Sequence, residues 1–435
     1  MTSYWCARAV LPTGVADGVL IGVSEGRVIS VETGVVPGDA VRLDGLVLPG
    51  LANCHSHAFH RALRGRTQTG RGTFWTWREQ MYAVASVLTP DTYYRLARAV
   101  YGEMVLAGIT AVGEFHYLHH APGGRRYDDP NAMGAALIAA AKDAGLRITL
   151  LDTCYVAGGF DQPLNEVQQR FSDGDVTGWV RRVQELRGDD DVVIGAAAHS
   201  VRGVPKDQLG PVASLLPEAP LHVHLSEQVA ENEACLATYG RTPAQVLDEA
   251  GFLSARTSAV HATHLTPVDV GLLGSSATYS CFCPTTERDL ADGIGPSVAL
   301  RDAGSPLTLG SDSHAVIDLF EEARAVELDE RLASQERGNW SASELLTAAT
   351  SAGHQSLGFA DAGRIEIGAR ADLVAVRLDS VRTAGTGGSV ETAVFAASAA
   401  DVTDVVVSGR QVVVEGKHAG MDVAAELAAS IAEVT

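Results

Sequence analysis

The sequence predicts a (β/α)8 barrel of the TIM type, with a small β-sandwich domain assembled from the two chain ends. Three observations predict it. Short apolar runs alternate with helical patterns through the middle of the 435-residue chain. β-like segments occur at both ends, and histidines and an aspartate fall where the apolar runs stop. Helices then cover a parallel sheet, and chemistry gathers at the C-terminal ends of its strands.

Residues 1–45 read as short strands, with Val19–Val23 and Arg27–Val31 separated by a Ser24-Glu25-Gly26 turn. Barrel strands are expected at Val47–Asn53, Thr110–Tyr117, Arg147–Tyr155, Val192–His199, Leu221–Leu225, Ser258–Thr263, Ala277–Cys283 and Leu307–Asp312. A helix is expected over Asp91–Ala107, where Thr89 offers a cap and Pro90 takes the first helical position. Others are expected over Asn131–Ala144 and Leu319–Leu332. After Gly363 the chain returns to β structure at Asp372–Arg377, Asp404–Ser408 and Gln411–Val414, and a helix at Val423–Ile431 closes it. These readings assign residues 48–363 to the barrel, and residues 1–47 with 364–435 to the small domain.

Composition narrows the function. Hydrophobic residues make up 46%, enough for a sizeable core and too many for a disordered chain. No uncharged apolar run reaches ~18 residues, which argues against a membrane span. The opening Met1–Pro12 lacks the basic, apolar and cleavage regions of a secretory signal. The 6 cysteines lack paired spacing, so the cytoplasm is the expected location. A net charge of −20 excludes nucleic acid and an anionic membrane as main partners. A homodimer is compatible with the sequence and not demanded by it.

His55-Ser56-His57 follows the first run, His199 ends the fourth, His224 the fifth with Glu227 beyond it, His261 the sixth and Asp312 the eighth. Residues two apart on an extended chain point the same way, so both imidazoles of His55-Ser56-His57 can reach one ion. An aspartate from the opposite side completes a zinc-type site and leaves a position for water. Each piece alone is commonplace: an H-x-H is usually coincidence, His224 with Glu227 could be a core pair, and Asp312 could cap a turn. Their joint order at successive strand ends is what points to a metal. His222 competes with His224, which is preferred for its spacing to Glu227. Cys54, Cys281 and Cys283 read as packing residues, His119-His120 as an exposed loop pair, and Trp75 and Trp77 as pocket wall or loop anchors.

With Leu48-Pro49-Gly50-Leu51-Ala52-Asn53-Cys54-His55-Ser56-His57, His224-Leu225-Ser226-Glu227, His261, Gly310-Ser311-Asp312 and the closing Gly363–Val374, the chain resembles the amidohydrolase superfamily over almost its whole length. Within it, Phe74-Trp75-Thr76-Trp77-Arg78-Glu79-Gln80-Met81-Tyr82, Glu114–His120, His199-Ser200-Val201-Arg202 and Cys283-Pro284-Thr285-Thr286-Glu287-Arg288-Asp289-Leu290 resemble the formimidoylglutamate deiminase family of histidine degradation. That resemblance implies one divalent cation, most simply Zn2+, held by His55, His57, His224 and Asp312. It implies a dicarboxylate small-molecule substrate held by Arg78, Tyr117, His199 and Arg202. Asp312 and His261 would orient and deprotonate a water, and Glu227 would protonate the departing nitrogen. Binuclear members carry a modified lysine at the end of the fourth strand. The only lysines here are Lys142, Lys206 and Lys417, so one metal is expected. The family's usual glutamine three residues after the second ligand is His60 in this chain, and His60 is expected to take over its substrate contact. Deamination of a heterocycle such as guanine, or a barrel kept only as a binding scaffold, are the competing readings.

Overall fold

The computed structural model describes residues 1–68 and 71–435. Strands β1 (Thr2–Leu11), β2 (Gly14–Ser24), β3 (Arg27–Glu32) and β4 (Val41–Pro49) open the chain. The barrel strands follow as β5 (Leu51–Ser56), β6 (Ile109–His116), β7 (Arg147–Cys154), β8 (Val192–Ala198), β9 (Leu221–Leu225), β10 (Thr257–His261), β11 (Tyr279–Phe282) and β12 (Leu307–Leu309). Strands β13 (Leu373–Val376), β14 (Val402–Val407), β15 (Arg410–Val414) and β16 (Lys417–His418) come last.

Strands β5 to β12 pair in chain order as a parallel 8-stranded sheet. A parallel bridge between Ser56 and Asp312 brings the first strand against the end of the last and nearly closes the ring. β6 and β7 are buried along their whole length. With helices on one side and the barrel interior on the other, they lack the polar alternation of a half-exposed strand. The second sheet runs in the order β16-β15-β14-β13-β4-β1-β2-β3 and is antiparallel except where β1 meets β4. Tyr4, Cys6, Val19, Ile21, Leu43 and Val406 belong to its own apolar core.

The run expected as the first barrel strand, Val47–Asn53, is divided between the two sheets. Val47, Leu48 and Pro49 pair with β13, whereas Leu51 begins β5. Gly50 makes the switch: its N–H donates to the Asp372 carbonyl at 3.1 Å. A Cβ there would collide with the Thr110 side chain and the Asp372 Cβ. His199, Thr263 and Asp312 lie just past the observed strand ends. At Ala262 and Asp312 the backbone turns to φ 48° and 39°, which a ladder does not accommodate.

Helix ends follow their caps. Thr89 and Thr92 form a reciprocal cap on Pro90–Leu106. Gly145, at φ 84°, ends Ala132–Ala144, and Asp318 caps Leu319–Ser334. The last helix, Val423–Val434, packs on the barrel helix Pro90–Leu106, with ion pairs Arg95–Glu433 and Arg98–Glu426. Among the described residues no helix is long and apolar enough to cross a membrane.

A buried ion pair joins the two sheets. Arg147 on β7 donates through both terminal nitrogens to Asp372, which also accepts from the Ser408 N–H at 2.8 Å. Both side chains are 1% exposed. Removing one partner of such a pair strands the other charge in low dielectric at a cost of about 3–5 kcal/mol. Arg147→Met is expected to lose that much stability in urea titration. A loss under about 1 kcal/mol would mean that the pair is dispensable to the joint.

Candidate active site

His55 and His57 lie at the end of β5, His224 on β9, and Asp312 just past β12. All four are buried, and one ligand atom from each lies within 4.8 Å of the others. His55 Nε2 is 3.2 Å from His57 Nε2 and 3.1 Å from His224 Nε2. Asp312 Oδ1 is 3.4 Å from Nε2 of both His55 and His57. Backbone carbonyls fix two of the tautomers: His57 Nδ1 faces the Phe115 oxygen at 3.0 Å, and His224 Nδ1 the His199 oxygen at 2.9 Å. A carbonyl only accepts, so Nδ1 carries the proton and each Nε2 turns its lone pair inward. Burial holds His55 and His224 below their ordinary pKa and takes His57 down to about 3, so the rings are in the neutral, ligating form. Converging lone pairs beside a carboxylate fit a divalent cation: a tetrahedral ion with bonds of about 2.0–2.1 Å separates its donors by about 3.3–3.4 Å.

Asp312 divides its oxygens. Oδ1 joins the convergence, and Oδ2 faces His261 Nε2 at 3.9 Å. The His261 ring also meets Glu227 at 3.8 Å and Glu287 at 3.4 Å. Burial opposes charge on His261, but these carboxylates outweigh it and place its pKa well above the ordinary value. Burial, helped by the charges of Asp312 and Glu287, raises the Glu227 carboxyl. Ser226, His261, Ala262, Asp312 and His314 all have positive φ, between 39° and 69°. Left-handed backbone outside glycine is strained, and here it clusters where the strands turn over the site.

Above the convergence lies a cavity lined by His57, His60, Arg78, Tyr117, His199, Arg202, His224, Glu227, His261 and Asp312 among others. The structure thus brings the expected substrate residues to one cavity. His60 is 3% exposed, packs against His57, and its Nε2 is 3.1 Å from the Tyr117 hydroxyl. Arg78 is half-buried and stacks on Trp75 and Tyr82, at 4.4 and 5.5 Å from their ring centres. Trp77, Met81, Tyr155 and Phe171 supply apolar wall.

One sequence expectation changes. His119 and His120 are not an exposed pair; each is 1% exposed. His119 Nε2 faces the Thr153 carbonyl at 2.9 Å, and His120 Nε2 faces Asp173 at 3.0 Å. His222 is buried behind His224 and neither ring nitrogen has a hydrogen-bond partner. Cys54, Cys281 and Cys283 are buried free thiols. Glu287, Glu231 and Tyr155 escaped the sequence reading as individual residues. Glu287 sits inside the Cys283–Leu290 string, and Glu231 falls in the first turn of the helix that begins just after Glu227; either position could have been a signal.

His116, His119 and Asp152 form a second group of metal-ligand type. Its aspartate and His119 are already engaged, and only His116 Nδ1 lacks a partner. Arg182 grips both Asp152 oxygens at 2.7 and 2.8 Å, and the Trp179 indole donates to one of them at 2.8 Å. His119 Nδ1 is then an acceptor for His116 Nε2, 3.3 Å away. A cation there would oppose Arg182.

The amidohydrolase family's sequence profile matches residues 46–412. Formimidoylglutamate deiminase of Pseudomonas aeruginosa is 36% identical over 438 residues, which is 97% of this chain and 96% of that protein. The 8-oxoguanine deaminase of the same organism is 30% identical, covering 88% of this chain and 85% of its own. The crystal structure of an amidohydrolase from Brucella melitensis superposes with a TM-score of 0.93 at 33% identity, over 100% of both chains.

The two histidine–aspartate groups should behave differently on mutation. His224→Ala or Asp312→Asn is expected to lower bound divalent metal per chain, measured by elemental analysis of purified protein. His119→Gln is expected to leave it unchanged. Equal losses would make the second group a metal site.

Proposed function

The chain belongs to the amidohydrolase family and is a hydrolase of carbon–nitrogen bonds, and we propose that its substrate is N-formimidoyl-L-glutamate, converted to N-formyl-L-glutamate and ammonia. One observation carries this reading: the guanidinium groups of Arg78 and Arg202 line the same cavity as the histidine–aspartate convergence. Guanidinium binds carboxylate through paired hydrogen bonds, so two of them suit the two carboxylates of a glutamate derivative. The 36% identity to a formimidoylglutamate deiminase supports it.

His55, His57, His224 and Asp312 would hold one divalent cation per chain. The nitrogen-rich donor set suits zinc, which when bound supplies the Lewis acidity that makes a water nucleophilic near neutral pH. The carboxylates of the substrate lie on Arg78 and Arg202, with Tyr117, His199 and His60 around its chain, and the formimidoyl carbon points at the convergence. Asp312 Oδ2 takes a proton from the water as its oxygen bonds to that carbon. The electrons of the C=N bond move to the imine nitrogen, which takes a proton from Glu227. That nitrogen next takes the proton held by Asp312 and leaves as ammonia. The hydroxyl proton passes to Glu227 as the formyl carbonyl forms, and both carboxyls are restored. A carboxyl raised by burial suits this carrier role at Glu227. We assign His261 to orienting the water, because its ring lies between Asp312 Oδ2, Glu227 and Glu287. Taking the water's proton, expected jointly of His261 and Asp312, then falls to Asp312 alone.

A second reading has its own support. The aromatic wall of Phe74, Trp77, Tyr82, Tyr117, Tyr155 and Phe171 suits a flat ring, and 8-oxoguanine deaminase is a relative. It gives the two guanidinium groups no carboxylates to bind. A coupled assay of ammonia release with N-formimidoyl-L-glutamate, guanine and 8-oxoguanine in parallel tests both. Turnover of a purine and none of the linear substrate would overturn the first.

Glu227→Gln is expected to keep the metal and lose turnover by roughly two orders of magnitude or more. Near-parental kcat would remove Glu227 from proton transfer. Arg78→Ala and Arg202→Ala should each lower kcat/KM by about 2–5 kcal/mol in transition-state binding. If the parent enzyme turns over an analogue lacking one carboxylate equally well, one of the two arginines has no such role.

A further inference from the structure

Arg202 is a cation between two buried carboxylates. Its Nη2 is 4.0 Å from Glu227 Oε2, and its Nε is 3.7 Å from Glu231 Oε1. The Glu231 side chain is 1% exposed, the Arg202 side chain 15%. Neither Glu231 oxygen has a hydrogen-bond partner, nor does Arg202 Nε. Glu231 therefore occupies a costly position without the hydrogen bonds that normally accompany burial. It stands in the first turn of the helix Val229–Tyr239, where the helix end favours negative charge. Burial, with Glu227 close by, pushes its carboxyl up to about 7 against the pull of Arg202.

We propose that Glu231 is a positioning residue that holds the Nε edge of Arg202, so that the guanidinium's terminal nitrogens face the cavity to receive a substrate carboxylate. A guanidinium presents its donors in a rigid plane, so an acceptor on one edge fixes the direction of the others. The Phe74 ring, 5.9 Å from Arg202 Cζ, backs that plane. Glu227 is left free of a tight ion pair, as a proton carrier requires. At 3.7 Å the Glu231 contact is an ion pair, longer than a hydrogen bond. This inference rests on the proposed role of Arg202 in binding a carboxylate.

The test is a double-mutant cycle in the metal-loaded enzyme. Glu231→Ala is expected to raise KM for N-formimidoyl-L-glutamate about tenfold or more and to keep kcat within about threefold. Glu231→Gln, which keeps an acceptor oxygen, should fall between parent and alanine variant. In an Arg202→Met background, Glu231→Ala should change KM by less than about twofold. An unchanged KM in Glu231→Ala, a loss confined to kcat, or the same fold-change with and without Arg202 would each overturn the proposal. A substrate-independent readout is the Arg202 Nε–H resonance in protein labelled at the arginine nitrogens. It should shift and exchange faster with water in Glu231→Gln, and an unmoved resonance overturns the inference. If the parent releases no ammonia from N-formimidoyl-L-glutamate, the substrate reading fails, and the resonance alone decides the place of Glu231. The glutamine variant, nearly isosteric with the parent, keeps the test open should the alanine variant not fold.

Discussion

The seam between β5 and the end of β12 is the constraint on which the site rests. Asp312 donates its N–H to the His55 carbonyl at 3.0 Å, and its own carbonyl accepts from His57 at 3.2 Å. Those bonds bring ligands from the first and last barrel strands face to face across one ladder step. Gly310 permits the approach: a Cβ there would lie 2.8 Å from His55 Cβ and 2.9 Å from Cys283 Sγ. Side chains clamp the seam. Asn53 donates to Ser311 Oγ at 2.7 Å and accepts from the Ser311 N–H at 2.9 Å. Ser56 and the Ala58 N–H both donate to Glu114 on β6, at 2.7 Å each. Side chains alternate along a strand, so a slip of one residue would turn His55 and His57 away together. Ligand convergence is thus a consequence of barrel closure, and the chemistry is a consequence of convergence.

Legibility in the sequence follows the same division. The convergence of His55, His57, His224 and Asp312 could be read because strand ends are visible as the points where apolar runs stop, and barrel geometry gathers strand ends together. Elements with strong caps, such as Pro90–Leu106, were readable to within a residue or two. The sheet switch at Gly50 was hidden, because the end of β4, Leu46 to Pro49, and all of β5 are buried and read as one apolar run. Glu231 and Glu287 were hidden for another reason: a carboxylate on a helix reads as solvated surface until the fold shows what faces it. His119-His120 failed in the opposite direction. A polar pair after a strand reads as loop, yet a network of buried charge holds both rings inside.

That network positions the pocket wall. The helix Phe74–Val87 presents Trp77, Arg78, Met81 and Tyr82 to the cavity. The carbonyl of Ala85 in its last turn and that of Leu88 beyond it accept from the buried guanidinium of Arg170, which also donates to the His120 carbonyl at 2.9 Å. The backbone of Arg170 accepts from both His119 and His120. Beneath it, Arg182 links Asp152 and Asp173, and Asp173 faces His120. Arg182 is paired with two aspartates and Arg170 is met by three backbone carbonyls, and buried charge requires such partners. Residues that look like a second metal group are part of this support.

The histidine–aspartate convergence and the cavity wall are therefore held by different means. One depends on backbone ladder bonds between β5 and β12, the other on a buried ion network fastening a single helix and the loop after β6. A substitution at Trp77 or Arg78 changes the shape and charge of the cavity and touches nothing in the seam. A substitution at Asn53 or Gly310 disturbs the ligands before it alters the wall. The charge balance respects the same boundary. In a chain of net charge −20, the cavity keeps its guanidinium groups at the wall and its carboxylates at the convergence. A substrate with anionic and electrophilic ends then has one favourable orientation.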